Sequence, residues 1–298
     1  MAKMNERIQN WGEKHYVALF LAPALLILIA FAGYITFALI YLSLCDWNVS
    51  NPTPVFSGIG NYINILKDLS FWKSLGRTLA YLVSTVTGEV VIGFFAAYVF
   101  NRKIKGIRIL RTLVLIPMAI TPVVAGMFWK VMYNTSYGPI NYFLSLIGIE
   151  GPAWIASAQT AFLSVVIVNI WQWMPFSFLT VTAGFASLPE DVYEAARIDG
   201  ASSMQILFQV TIPMMKQVLL TLVLLRSIEA LKAYDLIYVM TSGGPGEATQ
   251  VLPFYIYTRG FTWFDFGTAA AMSLILLFIA NNGFQLFINK TGVKVFYE

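Results

Sequence analysis

Long apolar runs, separated by short polar stretches that carry glycine and proline, organise this chain from end to end. A helix that crosses a bilayer needs about 20 mostly apolar residues, because the hydrocarbon core is about 30 Å thick and a helix rises 1.5 Å per residue. Six stretches satisfy this: 17–44, 78–100, 113–133, 161–186, 218–241 and 267–288. The first is too long for the apolar core of a signal peptide. It is followed by Cys45-Asp46-Trp47 and not by a small-residue cleavage site, so it reads as a retained span. The pattern predicts an all-α integral membrane protein of six transmembrane helices, with residues 1–298 forming a single transmembrane domain. Asn51-Pro52-Thr53-Pro54 and Ser242-Gly243-Gly244-Pro245-Gly246 read as turns between spans. Neither is long enough to bind a solute alone. There is no internal repeat, low-complexity tract or soluble domain.

Composition agrees. The chain is 58% hydrophobic and 11% charged, whereas a soluble chain is roughly half apolar and a quarter charged. The net charge of +4 is modest. In a membrane protein it reflects basic loops on one side and not a nucleic-acid partner. Lys3, Arg7, Lys14, Arg102, Lys103, Lys105, Arg108, Arg111, Arg197, Lys216, Lys290 and Lys294 fall on one set of alternate segments. Lys67, Lys73, Arg77, Lys130 and Arg259 fall on the other, 12 against 5. The richer set is expected to be cytoplasmic, which puts both termini there. Trp47, Trp72, Trp154 and Trp263 fall in or near the outer segments, where aromatic anchors sit. The single cysteine, Cys45, and single histidine, His15, exclude a disulfide framework and a His/Cys metal site. They also exclude a catalytic histidine, unless His15 folds back. No catalytic or metal-ligating set is expected.

The segment 188–213 reads LPEDVYEAARIDGASSMQILFQVTIP. Its periodicity predicts two short helices. Ser187 with Glu190 fits a capping box, with Pro189 in the first turn. Gly200 fits the residue just past that helix, where a positive φ is common. Ser202 with Gln205 fits a second capping box. On physical grounds alone, a solvated amphipathic loop and a docking element fit this segment equally.

Glu194-Ala195-Ala196, then Gly200, then Val210-x-Ile212-Pro213 resemble the E-A-A…G…I-x-L-P motif of the permease subunits of binding-protein-dependent ABC importers. Val210 and Ile212 are its two mild departures. The resemblance runs along most of the chain. It includes Leu21-Ala22-Pro23-Ala24, Gly60-Asn61-Tyr62, Asn101-Arg102, Arg111-Thr112, Ile116-Pro117, Tyr137-Gly138-Pro139-Ile140-Asn141 and the stretch from Asp235 to Pro245. The branch resembled is the six-span, maltose-type and glycerol-phosphate-type carbohydrate permease, with a type I ABC importer fold. The resemblance implies these partners: a second, homologous permease, two ATPase subunits, an extracytoplasmic solute-binding protein, a sugar substrate and membrane lipid, with no nucleic acid. It also implies a bacterial cytoplasmic membrane. This chain has no G-x-x-x-x-G-K-[ST] phosphate loop, so no cofactor is expected in it, and ATP and magnesium would sit on the ATPases. The 188–213 loop would couple to an ATPase cleft through Glu194, Ala195, Ala196, Asp199, Gly200 and Pro213. Glu194 would accept a hydrogen bond or ion pair from a basic ATPase residue.

Polar and broken positions inside spans are candidate solute contacts. Pro117 and Pro122 free backbone carbonyls in the third span, for a packing kink or a wet cavity. Asn169, Trp173 and Phe176 share one helix face, which suits either helix packing or a sugar, with its hydroxyls and its C–H face. The resemblance carries Met118, Asn169, Trp173, Phe176, Glu229, Ala230 and Ala233 over as pocket positions. Arg226, Glu229, Lys232 and Asp235 spiral around the fifth span with alternating sign. Either Glu229 or Lys232 meets solute or water, or the whole set is structural. Glu89 pairs with Arg226 or faces the partner permease. A coupled secondary carrier would show paired repeats. A membrane enzyme would need a carboxylate cluster at a membrane edge, and the only dense one is the 188–213 loop.

Overall fold

The computed structural model describes residues 2–101 and 106–293, with side chains from residue 20 onward. The expectations for the side chains of Lys3, Arg7, Lys14 and His15, and for Arg102, Lys103, Lys105 and Lys294, lie outside the described residues. In chain order the elements are α1 (Ala2–Ser43), β1 (Cys45–Asp46), β2 (Val55–Phe56), α2 (Gly60–Lys67), α3 (Leu69–Phe100), α4 (Ile107–Leu115), a 3₁₀ turn (Ile116–Ala119), α5 (Pro122–Met132), α6 (Pro139–Leu146), α7 (Ala161–Ala186), α8 (Glu190–Ile198), α9 (Ser203–Gln205), a π-helical turn (Ile206–Thr211), α10 (Ile212–Met214), α11 (Lys216–Leu231), α12 (Asp235–Met240), α13 (Leu252–Tyr257), a second π-helical turn (Thr258–Thr262) and α14 (Phe266–Thr291).

Four helices are long and apolar enough to span a membrane singly: Phe20–Ser43 within α1, then α3, α7 and α14. Two bent pairs, Ile107–Ala119 with Pro122–Met132 and Ser203–Met214 with Lys216–Leu231, raise the number of candidate spans to as many as six if each pair crosses as one. Three expected spans need correction. The second begins at Leu69 and not at 78, because Lys73 and Arg77 lie within the first turns of α3, and Asp68 caps it by accepting from the Ser70 N–H at 2.9 Å. The third is not one helix: its halves meet at 100°. Pro117 lies in the 3₁₀ turn and Pro122 opens α5, and each lacks the N–H that a continuous helix would use. The fifth does not run to 241. Its helix stops at Leu231, and residues 232–234 are irregular. The chain is also not purely helical, since β1 and β2 pair antiparallel around the expected Asn51–Pro54 turn.

The chain divides into two compact units. In the first, residues 1–65 with 259–274, side chains of α2 and α14 fix the hairpin. The Asn61 amide donates to the Ser43 and Cys45 carbonyls at 2.9 and 2.8 Å, and Trp47 packs on Phe266 with centroids 4.6 Å apart.

The second unit, residues 66–258 with 275–298, holds the core. Helix α7 packs along α3, and α11 packs against both. Small residues let the first pair close: a Cβ at Gly93 would lie 2.6 Å from Ser177 Cβ, the small-residue contact typical of helices in lipid. Tyr81, Val165, Val168, Ile237 and Met240 are buried at one end of this unit, and Phe94, Phe178, Val181 and Leu222 at the other. Polar contacts lock α13 to α3. Thr78 Oγ1 accepts from the Leu252 N–H at 2.7 Å, and the Tyr255 hydroxyl donates to Asp68 Oδ2 at 2.6 Å.

Candidate functional site: a polar cavity in the broken spans and an exposed helical loop

The start of α5, just past the break in the third span, and the irregular 232–234 segment that follows α11 border one cavity. It encloses about 270 Å³ and is lined by Tyr81, Pro122, Asn169, Gln172, Trp173, Arg226, Glu229, Ala230, Lys232, Ala233, Tyr234, Asp235 and Leu236. Its size is near the lower end of small-molecule clefts, which run from roughly 300 to 1,000 Å³. Five helices and one irregular segment position it. Helix α3 supplies Tyr81 and α7 supplies the Asn169-to-Trp173 face. Pro122, the first residue of α5, gives one wall. The end of α11, the irregular 232–234 segment and the start of α12 give the rest.

The breaks leave backbone groups to be satisfied inside protein. Gln172 Nε2 donates to the Ile120 carbonyl at 2.9 Å, in the gap between the 3₁₀ turn and α5. The Lys232 and Ala233 N–H groups donate three residues back, to Glu229 and Ala230 carbonyls at 3.1 and 3.2 Å, closing the end of α11. Three buried side-chain atoms around the cavity have no hydrogen-bond partner among the described residues: the Tyr81 hydroxyl, Asn169 Oδ1 and Gln172 Oε1. Tyr81 and the Asn169 amide lie against each other without forming a well-directed bond. Buried polar atoms are nearly always paired, so three orphans around one cavity mark a place where something polar belongs.

The charges are arranged in pairs. Arg226 donates from Nε to Glu89 Oε2 at 2.7 Å and from Nη2 to Glu89 Oε1 at 3.3 Å, and both side chains are buried. Its guanidinium carbon lies 4.6 Å from the Trp173 ring centroid and 6.0 Å from that of Phe176. Removing one partner of such a buried pair typically costs about 3–5 kcal/mol, because the other charge is left uncompensated. Lys232 Nζ meets Glu229 Oε1 at 3.0 Å, and this pair is more than half exposed. Glu89 therefore pairs with Arg226, one of the two arrangements its position in the second span left open.

Six of the eight solute-path positions expected from sequence line the cavity: Asn169, Trp173, Glu229, Ala230, Lys232 and Ala233. Phe176 sits beyond Arg226 and outside the lining. Met118, in the 3₁₀ turn, is also outside it. Trp173 gives part of its ring to Arg226, which limits the surface left for a sugar. Tyr81, Gln172 and Tyr234 line the cavity and were missed. Gln172 carried a signal, because it is a second amide one turn after Asn169 on the same helix face. Tyr81 and Tyr234 carried none, since a tyrosine near a span end reads as an interface anchor.

The 188–213 loop is built as a helix, a tight turn and a second helical segment. Helix α8 closes on Gly200, at φ +75°. The Gly200 N–H donates to the Arg197 carbonyl at 3.1 Å and the Ala201 N–H to the Ala196 carbonyl at 3.0 Å, the paired bonds of a Schellman motif. Asp199 is its C-cap. The capping box of Ser202 and Gln205 forms in both directions, at 2.8 and 3.4 Å. The expected box of Ser187 and Glu190 does not form. Pro189, with extended backbone, is the N-cap of α8, and the Ser187 hydroxyl instead donates to the Gly184 carbonyl at 2.8 Å, at the end of α7. The Tyr193 hydroxyl and Thr211 Oγ1, 3.1 Å apart, tie α8 to the π-helical turn. Glu194 and Ala195 are exposed, as is Pro213 in α10, and Ala196 is half-buried. Ile198, Met204 and Phe208 also face outward, 85%, 65% and 56% exposed. Among the described residues, no group of three or more His, Cys, Asp or Glu side chains could hold a metal ion.

Sequence and fold comparisons agree with this architecture. The chain is 38% identical over 244 residues to the trehalose/maltose transport system permease protein MalF of Thermococcus litoralis, covering 81% of each chain. It is 30% identical to the sulfoquinovosyl glycerol transport system permease protein SmoG of Agrobacterium fabrum, over 89% of this chain and 86% of that one. The crystal structure of a bacterial ABC transporter involved in import of the acidic polysaccharide alginate superposes with a TM-score of 0.84 at 18% identity, over 97% of this chain and 100% of that one. This likeness places the chain in the type I ABC importer permease fold. Residues 89–290 match the family described as binding-protein-dependent transport system inner membrane component. That match takes in the cavity face of α7, the exposed loop and both helix breaks, and the chain belongs to this family of ABC importer permeases.

Proposed function

We propose that this chain is the membrane-spanning subunit of an ATP-driven sugar importer, that it forms the translocation path together with a second permease, and that it couples to ATPase subunits through the Glu194 loop. The cavity carries the solute part of this reading. Its orphaned tyrosine hydroxyl and amide oxygens suit the hydroxyl groups of a sugar, and its broken helices suit a path that changes access during transport. The relatives named for trehalose, maltose and sulfoquinovosyl glycerol support a carbohydrate cargo. Asn169, Gln172 and Tyr81 bind hydroxyls, Trp173 and Tyr234 provide ring surface, and Glu229 and Lys232 form the exposed rim. Met118 and Phe176 belong to the path outside the cavity of this conformation.

The coupling reading rests on the exposure and rigidity of α8. The Schellman turn at Gly200 and the Ser202 box hold the loop at a fixed angle, with Glu194, Ala195 and Ala196 on it and Ile198, Met204 and Phe208 available as apolar contacts. ATPase closure then moves the permeases as rigid bodies between inward-open and outward-open states. ATP and magnesium are bound by the ATPases and not by this chain. A solute-binding protein delivers the sugar from outside a bacterial cytoplasmic membrane, and both termini lie in the cytoplasm.

The test is the ATPase activity and sugar uptake of the reconstituted complex with its binding protein. Replacing Glu194 with Ala is expected to cut uptake at least tenfold while binding-protein affinity is unchanged. Full uptake by that variant would refute coupling through this loop.

A further inference from the structure

A guanidinium in a cavity wall is ordinarily the anchor for a carboxylate, sulfonate or phosphate, which it grips with two parallel N–H donors. Arg226 lines this cavity with its charge already paired. One edge of its guanidinium, Nε and one N–H of Nη2, is taken by the two oxygens of Glu89, which neutralise it, and its face lies over Trp173 at 4.6 Å. The second lining cation, Lys232, is held by Glu229 at 3.0 Å. Asp235 lines the cavity and no ion pair holds it among the described residues. Counting Glu89 behind Arg226, two cations face three carboxylates, which leaves one net negative charge.

The orphaned polar atoms point the same way. Because Gln172 Nε2 donates to the Ile120 carbonyl, Gln172 Oε1 is the end left over, and it is an acceptor. Asn169 Oδ1 is a second acceptor and the Tyr81 hydroxyl can act either way. Acceptors need donors. A hydroxyl supplies them, whereas an ionised carboxylate or a phosphate dianion brings only acceptors and is repelled by the net charge.

We propose that the solute crossing here is an uncharged polyhydroxyl molecule, and that Glu89 sets this preference by occupying Arg226. Glu89 does not line the cavity. It is a positioning residue that acts through the guanidinium. The inference rests on the reading of this cavity as the solute path.

The experiment is equilibrium binding to the complete transporter complex in lipid nanodiscs, without the binding protein, so that only the membrane site is read. The probes are neutral mono-, di- and trisaccharides, against glucuronate and glucose 6-phosphate. The neutral class is expected to bind at least tenfold more tightly, and Gln172→Leu is expected to weaken that binding at least tenfold. Glu89→Gln and Asp235→Asn each remove one negative charge, and each is expected to raise the anion-to-neutral affinity ratio about tenfold. Asp235→Asn leaves the buried pair intact, so the charge test stands even if Glu89→Gln fails to assemble. Anions that bind wild type as tightly as neutral sugars, in a manner lost in Gln172→Leu, would overturn the charge preference and keep the cavity as the path. If neither class shows binding that responds to Gln172→Leu, the cavity reading itself fails, and this inference falls with it.

Discussion

At the scale of single residues, the chain relies on a few positions where one chemistry is required. Gly200 is one. Nothing lies within 4 Å of a Cβ built there, so its role is conformational: it holds φ at +75°. Gly200→Ala adds about 1 kcal/mol of left-handed strain, which is expected to speed amide exchange at the Ala201 N–H roughly fivefold, since that N–H closes the turn on the Ala196 carbonyl. Exchange unchanged in the variant would mean that the turn is held by contacts elsewhere. The need for glycine here was legible, because a helical pattern ending in Asp199-Gly200 has a known physical cause. The Ser187 box was misread for an equally local reason. A serine two residues before a proline can serve the helix that ends or the helix that begins, and only the backbone of Pro189 decides which.

At the scale of elements, length and hydropathy located the helices, and tertiary contacts set their ends and breaks. Helix α7 runs from Ala161 to Ala186, as the apolar run predicts, because polar residues bound it on both sides. Helix α3 starts earlier than expected. Its first turns carry Lys73 and Arg77, which a hydropathy reading excludes from a span, yet Asp68 caps them and the Tyr255 hydroxyl anchors the cap. The contact between α3 and α7 depends on absent side chains. Gly93→Val would drive a branched side chain into Ser177 Cβ and the Phe178 backbone N–H. Overpacking of this kind costs about 1–3 kcal/mol, and a fall of several degrees in the melting temperature of the solubilised complex is expected. At Gly88 the nearest atoms belong to the flexible end of Ile170, so Gly88→Ala should melt closer to wild type. A Gly93→Val protein as stable as wild type would show that these helices have room to separate.

At the scale of the whole molecule, the alternation of basic and less basic segments predicts sidedness. The basic residues that assign it are Arg108, Arg111, Arg197, Lys216 and Lys290, together with those in the terminal and 102–105 segments. Tags at either end are expected to resist externally added protease in right-side-out vesicles and to be cut in inverted ones. Cleavage of one tag from outside would overturn the six-span count. The sequence by itself determined the membrane environment, the number of apolar segments, the helical class, the turn at Gly200 and the Ser202–Gln205 box. These follow from local quantities: hydropathy summed over about 20 residues, and caps and turns set within a few residues. Only the tertiary structure decided that the third span bends by 100°, that the fifth stops at Leu231, and that Pro122 and the 232–234 segment line one cavity. It alone decided that Glu89 and Arg226, 137 positions apart, neutralise each other. Nothing local to either residue states its partner. That choice is made by the packing of α3 against α11, and by the cost of leaving either charge alone in the interior of a protein surrounded by lipid.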